Sequence, residues 1–205
     1  MGGQSGINPE FKDGSGNLAS SNNKAILTTK NYFVDEINDA LIIKFLGEVT
    51  EYLSYDETFN PNDQGQYVDF LNTFTPNGLP PYKLLLKLDA PIILLRNLDP
   101  TKGLCNGTRL ICKSFAKNVI HAIISVGDFA GKPIFIHRIH LQPSSNEQHP
   151  VPFKWTQFPI RLCFAMTINK AQGQTLDFVG IYLKELVFSQ GQLYVALSRA
   201  KKKKP

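Results

Sequence analysis

IRLCFAMTINKAQGQTL, residues 160–176, is the stretch whose reading decides the fold. Its first seven residues form an apolar run of the kind expected of a strand buried on both faces. Polarity then switches abruptly. Thr167, Asn169, Lys170, Gln172 and Gln174 crowd the following positions, and Gly173 is placed to close a short helix over TINKAQ. A buried strand that runs into a polar turn and a helix is an α/β signature. The free N–H groups at such a helix start, beside Thr, Asn and Lys side chains, make a corner suited to phosphate. An ordinary polar strand-to-helix turn produces the same string, so its neighbours must be read with it.

Downstream, FVGIYL (178–183) is another strand, and SQGQLYVALSRA (189–200) reads as a capped helix. Ser189 with Gln192 three residues on forms a capping box. Leu193, Leu197 and Ala200 fall on one stripe, and Gln192, Val195, Ala196 and Arg199 on another. The leucine stripe is expected to face the core, leaving Arg199 to point its planar fork outward, a geometry that matches phosphate oxygens. Taken alone, the helix fits a surface arginine on an ordinary amphipathic helix better than a phosphate ligand.

Upstream, AILTT (25–29) is a strand leading to a helix N-capped by Asn31, with Val34, Ile37, Leu41 and Phe45 at helical spacing until Gly47. Between Tyr82 and Phe158 the character changes. KLLLKL, APIILLR, TRLICKSF, NVIHAIISV and KPIFIHRIHL are short, β-rich and separated by Asp, Gly and Pro. That spacing suggests a small β-barrel or sandwich inserted into one α/β domain. NGLPP (77–81) and HPVP (149–152) look like its edges. Residues 1–21 are Gly/Ser/Asn-rich and read as a flexible leader or a cloning scar.

Composition narrows the function classes. The 205 residues, 42% hydrophobic, suffice for one domain or two small ones, and no apolar run reaches the roughly 20 residues that span a bilayer. Cys105, Cys112 and Cys163 have no metal-ligand spacing and suit a reducing compartment, and His137 and His140 are too few for a metal site. The net charge is +5, but Lys201–Lys204 supply four of those units. Nucleic-acid binding must therefore rest on placed residues rather than on overall basicity. The string nearest to a P-loop, Gly127 to Lys132, has three residues between its glycines instead of four and Pro133 where Ser or Thr would hold magnesium, so it reads as a hairpin turn.

AMTINKAQGQTL and SQGQLYVALSRA together resemble motifs V and VI of the superfamily 1B DNA helicases of the petite-integration-frequency type, above all the plant and Helitron-transposon forms. FLNTFTPNGLPPYKLLLKLDAPIILLRNLDPTKGLCNGTRLI, FPIRLCFAMTINKAQGQTL and AILTTKNYFVDEIN extend the likeness over residues 22–200. The resemblance implies a RecA-like (P-loop NTPase-like) second motor domain over 22–82 and 159–205, with an inserted small Src-homology-three-like β-barrel at 83–158. It also implies the C-terminal half of an ATP-dependent motor moving 5′ to 3′ on single-stranded DNA. Arg199 would be the arginine finger, supported by Gln192. Gly173, Gln174 and Arg199 would face the nucleotide, and Asn31, Thr167, Asn169 and Lys170 the DNA.

ATP and magnesium ion are implied for the full motor, with no tight binding by this chain alone and no resident metal. The implied partners are single-stranded DNA and a first RecA-like domain, in trans or otherwise, or another protein; no membrane is implied. Roles in DNA repair, recombination and telomere maintenance in the nucleus follow from the likeness, with the mitochondrion as the alternative site. Three departures stand out. Thr29-Lys30-Asn31 replaces a common Pro-Thr-Asn, Asn169 replaces a common histidine, and AKKKKP stands where the family continues with a strand. The rival reading is a helicase-derived, non-enzymatic module that binds DNA or protein.

Overall fold

The structure, a computed structural model, describes residues 23–58, 78–142, 153–185 and 190–200. The expected leader, Ser189, HPVP and the lysine tail lie outside them. The chain forms two compact units that divide after Glu48 and after Leu162. The sequence boundaries at 82/83 and 158/159 differ from these because residues 50–53 pair with 83–86, and residues 160–162 with 92–94, within the β-rich unit.

The first unit holds the α/β elements. Its three-stranded parallel sheet has β1 (Lys24–Thr28) at the centre, β12 (Ala165–Thr167) on one side and β13 (Phe178–Ile181) on the other. Helix α1 (Asn31–Lys44) follows β1 and buries Phe33, Val34, Leu41 and Ile42. Phe45, just beyond it, lies 5.2 Å from the ring of Phe164. Asn38 is the polar exception on this buried face. Its carboxamide accepts from the Ala165 N–H at 2.9 Å and donates to the Ala165 carbonyl at 3.4 Å, acting as a surrogate strand along β12. Helix α2 (Gln190–Leu197) completes the unit.

The second unit is antiparallel throughout. β5 (Pro91–Leu94), β6 (Arg109–Phe115), β7 (Val119–Ile124) and β8 (Pro133–His137) run as a meander, and β11 (Ile160–Leu162) pairs with β5 at its far edge. β2 (Thr50–Leu53) pairs with β4 (Lys83–Leu86). β10 (Phe153–Gln157) lies between β3 (Tyr55–Thr58) and β9 (Ile139–Leu141). Leu79, Leu141 and Trp155 form a buried cluster under Tyr82 and Ile139. Gln157, fully buried, ties several segments together. Its amide donates to the carbonyls of Tyr52 and Tyr82, and its oxygen accepts from the Phe158 N–H and from Arg138. Arg138 also donates to the Leu53 carbonyl at 2.7 Å and lies 4.8 Å over the Phe158 ring. Burial lowers its pKa from the ordinary guanidinium value.

Three local expectations are corrected. The run 160–166 is not one strand: it breaks at Cys163 and Phe164, with β11 in the antiparallel sheet and β12 in the parallel one. Residues 168–173 form consecutive turns rather than a helix, closed by Gly173 at φ +80. Asn31 is the first helical residue of α1, while Lys30, with extended φ and ψ, occupies the cap position without a side-chain cap bond. The Gly127–Lys132 loop does join the antiparallel strands β7 and β8, with both glycines at φ +83.

Candidate functional site

Parallel pairing brings the carboxyl ends of β1 and β12 side by side, with Thr28 in register with Thr167. The backbone bond from the Ile168 N–H to the Thr28 carbonyl, 2.9 Å, extends that pairing past the strand end. Asn31, exposed at the start of α1, and the turn carrying Asn169 and Lys170 therefore leave neighbouring strand ends. Carboxyl ends of parallel strands are where open α/β sheets place their ligands.

The turn after β12 is shaped locally. Thr167 accepts from the Lys170 N–H through its hydroxyl at 3.3 Å, which turns the backbone as a short polar cap does. The Ala171 N–H reaches the Thr167 carbonyl at 3.1 Å, and Gln174 donates from its side chain to the Lys170 carbonyl, also at 3.1 Å. Asn169 and Lys170 stand exposed at the crest. The phosphate corner expected from a helix N-terminus is thus a turn, without a helix dipole behind it.

Helix α2 docks on this turn. Gln192 donates to the Asn169 side-chain oxygen at 3.4 Å. Arg199 donates from its guanidinium to the Gln174 carbonyl at 3.3 Å, to the Val195 carbonyl at 3.1 Å and to the Ser198 hydroxyl at 2.9 Å. The Leu176 N–H donates to the Arg199 carbonyl at 2.9 Å, which fixes the end of the helix beside β13. The expected orientation of α2 is reversed. Ala196 is buried, with Gln192, Val195 and Arg199 partly buried around it, while Leu193, Leu197 and Tyr194 are exposed. Small Ala196 permits the close approach that brings Gln192 and Arg199 onto the turn.

Sequence reading missed two groups beside this edge. Thr28 and Thr29 each carry a buried hydroxyl oxygen without a hydrogen-bond partner at the end of β1. A threonine pair closing an apolar strand just before Asn31 was the available signal. Lys30 forms an ion pair with Glu185, and Lys184 lies 5.5 Å over the Phe33 ring, so the start of α1 is tied to the segment after β13. Among the described residues, no group of three or more His, Cys, Asp or Glu side chains could hold a metal ion, and no helix is long and apolar enough to cross a membrane.

Thr28, Thr29, Asn169 and Lys170 thus lie at the carboxyl edge of a parallel sheet, with Arg199 docked against the segment that leads from that turn to β13, and solved RecA-like helicases share the fold. The chain matches the Bacteroides Pif1 structure bound to ssDNA with a TM-score of 0.64 and 28% identity, over 94% of this chain and 41% of that one. It matches the Candida albicans Pif1 helicase with a TM-score of 0.65 and 26% identity, over 87% and 43%. The family model described as DNA helicase Pif1, 2B domain, matches residues 69–115.

Among curated relatives, the ATP-dependent DNA helicase PIF6 of Trypanosoma brucei is 29% identical over 80% of this chain and 22% of its own length. Human PIF1 is 38% identical over 58% of this chain and 18% of its own. The chain belongs to the Pif1 helicase family. It spans about a fifth of the length of these curated relatives.

Proposed function

We propose that this chain is the C-terminal motor half of an ATP-dependent DNA helicase moving 5′ to 3′. The observation that carries the reading is the docking of α2 on the turn after β12, which sets Arg199 against Gln174 and Gln192 against Asn169. The second RecA-like domain corresponds to the α/β unit. The meander β5–β8 supports a Src-homology-three-like barrel within the other unit. Asn31, Thr167, Asn169 and Lys170 contact the backbone of single-stranded DNA. Gly173, Gln174 and Arg199 face the nucleotide, with Gln192 holding the helix edge.

ATP and its magnesium ion supply the scissile phosphate bond and the charge to be stabilised. The residues fit that role. Arg199 is only partly buried, and its 3.3 Å bond to a neutral carbonyl is weaker than a charge-assisted bond to a phosphate oxygen. An arginine placed in this way stabilises charge as the phosphoryl group transfers, an effect of about 10³-fold or more in related enzymes. No P-loop string occurs within the 205 residues. The 205-residue chain therefore turns over no ATP by itself, and the P-loop comes from a first RecA-like domain on the same polypeptide or in trans. The setting is nuclear, with the mitochondrion as the alternative.

The test combines hydrolysis with binding. ATP turnover stays at background with or without single-stranded DNA. Binding of a labelled oligonucleotide to a variant without Lys201–Lys204 falls steeply with salt, as released counterions require. DNA-stimulated hydrolysis that disappears in Arg199→Ala would sink the half-motor reading. A flat salt dependence would favour the non-enzymatic interaction module.

A further inference from the structure

The outer face of the five-stranded sheet carries a patch unrelated to the edge just described. On β7, Ile120, Ala122 and Ile124 are buried, so Val119, His121 and Ile123 alternate outward. On β8, Ile134 and Ile136 are buried while Pro133, Phe135 and His137 are exposed. The register sets His121 opposite Phe135 and Val119 opposite His137. The imidazole and phenyl rings stack, with centroids 5.1 Å apart and planes 27° from parallel. Phe135 nevertheless remains 65% exposed.

A single exposed Phe is ordinary on a protein surface. This one differs in being backed by a stacked ring on a paired strand, so its orientation is set before anything binds. A flat π face held rigidly is suited to another flat π system, and an unpaired base is one.

Charge selects the partner. Between residues 113 and 140 the chain carries Lys113, Lys117, Lys132 and Arg138 against a single acid, Asp128. Lys113 pairs with Asp89 and Arg138 is engaged with Leu53 and Gln157, which leaves two exposed cations to flank the patch. Lys117 lies in the turn between β6 and β7, at the Val119 and His137 end. Lys132 precedes Pro133 at the other end, its ammonium 4.5 Å over the Phe129 ring. The outward positions 119 to 123 span about 13 Å at ~3.3 Å per residue. Cations at both ends with aromatic surface between them complement a strand of alternating phosphates and bases.

We infer that the outer face of β7 and β8 is a stacking platform for single-stranded nucleic acid. Phe135 takes the face of an unpaired base, and Lys117 and Lys132 meet phosphates on either side. The platform goes beyond the motor reading: it shares no residue with the edge carrying Asn169, Lys170 and Arg199, and it needs neither ATP nor a second domain.

The experiment compares the whole chain binding a twelve-thymidine oligonucleotide and its abasic counterpart at low salt. Tail lysines and phosphate contacts treat both alike; stacking favours the first. Phe135→Ala is expected to weaken thymidine binding by about 5- to 150-fold and to leave abasic binding unchanged. Phe135→Leu, which keeps an apolar side chain on the strand, behaves the same way. Phe135→Trp retains binding, and its added fluorescence is quenched by the thymidine oligonucleotide but not by the abasic one; Trp155, fully buried, gives a constant background.

Thymidine binding by Phe135→Ala and Phe135→Leu within about twofold of the unmodified chain would overturn the platform. So would unquenched Phe135→Trp, or a chain that binds neither oligonucleotide. Asn169→Ala and Lys170→Ala leave the preference for thymidine over the abasic oligonucleotide intact, whereas Phe135→Ala abolishes that preference, so failure of the motor edge and failure of the platform give different patterns.

Discussion

The guanidinium of Arg199 donates to the main-chain carbonyl of Gln174 at 3.3 Å, joining the end of α2 to the turn after β12. The arginine thus has a structural tie in addition to its proposed role at the nucleotide. Arg199→Ala is expected to lower stability by only about 1 kcal/mol, because the group is partly solvated and its acceptors are neutral. Urea unfolding reads this directly. A loss several times larger would make any activity defect of the variant uninterpretable as chemistry.

Gln157 is a costlier position. Replacing it with Ala removes a donor from the buried Tyr52 carbonyl and from the part-buried Tyr82 carbonyl, which keeps the Ser54 N–H, and an acceptor from the Phe158 N–H and the Arg138 guanidinium. The expected loss is about 3 kcal/mol. Chemical denaturation should show a lower midpoint with an unchanged slope.

Gly103 is constrained twice. Its φ is +77, and a Cβ built there would lie 2.5 Å from Cδ2 of Phe129. Gly103→Ala is expected to cost about 2 kcal/mol. Combining it with Phe129→Ala should relieve the clash while the backbone cost remains, so a double-mutant cycle would show partial recovery.

The three thiols should separate by reactivity. Burial is the main cause that pushes the Cys112 thiol up to about 12, with the nearby Asp89 charge adding to it. At pH 8 its thiolate fraction is then on the order of one in ten thousand. Cys163 is fully buried as well, whereas Cys105 is partly exposed. Mass spectrometry after brief alkylation at pH 8 should find Cys105 modified and Cys112 and Cys163 spared.

What the sequence disclosed depended on the length of each pattern. The strand around Ile26, the helix from Asn31, the strand at Phe178 and the hairpin at Gly127–Lys132 were all legible, since each carries its own periodicity or turn chemistry. The break at Cys163 and Phe164 was not, because a continuous apolar run does not show where one sheet ends and another begins. The orientation of α2 was hidden for a different reason. An eight-residue helix offers two stripes, and leucines suggest the wrong one when a small residue such as Ala196 is what close docking requires. Asn38 and Gln157 left no signal, since a buried carboxamide is recognisable only from the backbone groups it satisfies. At the site, the turn residues and Arg199 were named from sequence, whereas the hydroxyls of Thr28 and Thr29 were not.

The pairing of Ile26 with Ala165 also dictates an order of events. Nearly the whole intervening chain must be made before β1 acquires that neighbour, while residues 49–162 contain every partner their own strands need. During synthesis the antiparallel unit can close its ladders first, shortening the effective loop whose ends must meet. Until residue 165 has left the ribosome, β1 is a strand waiting for its sheet.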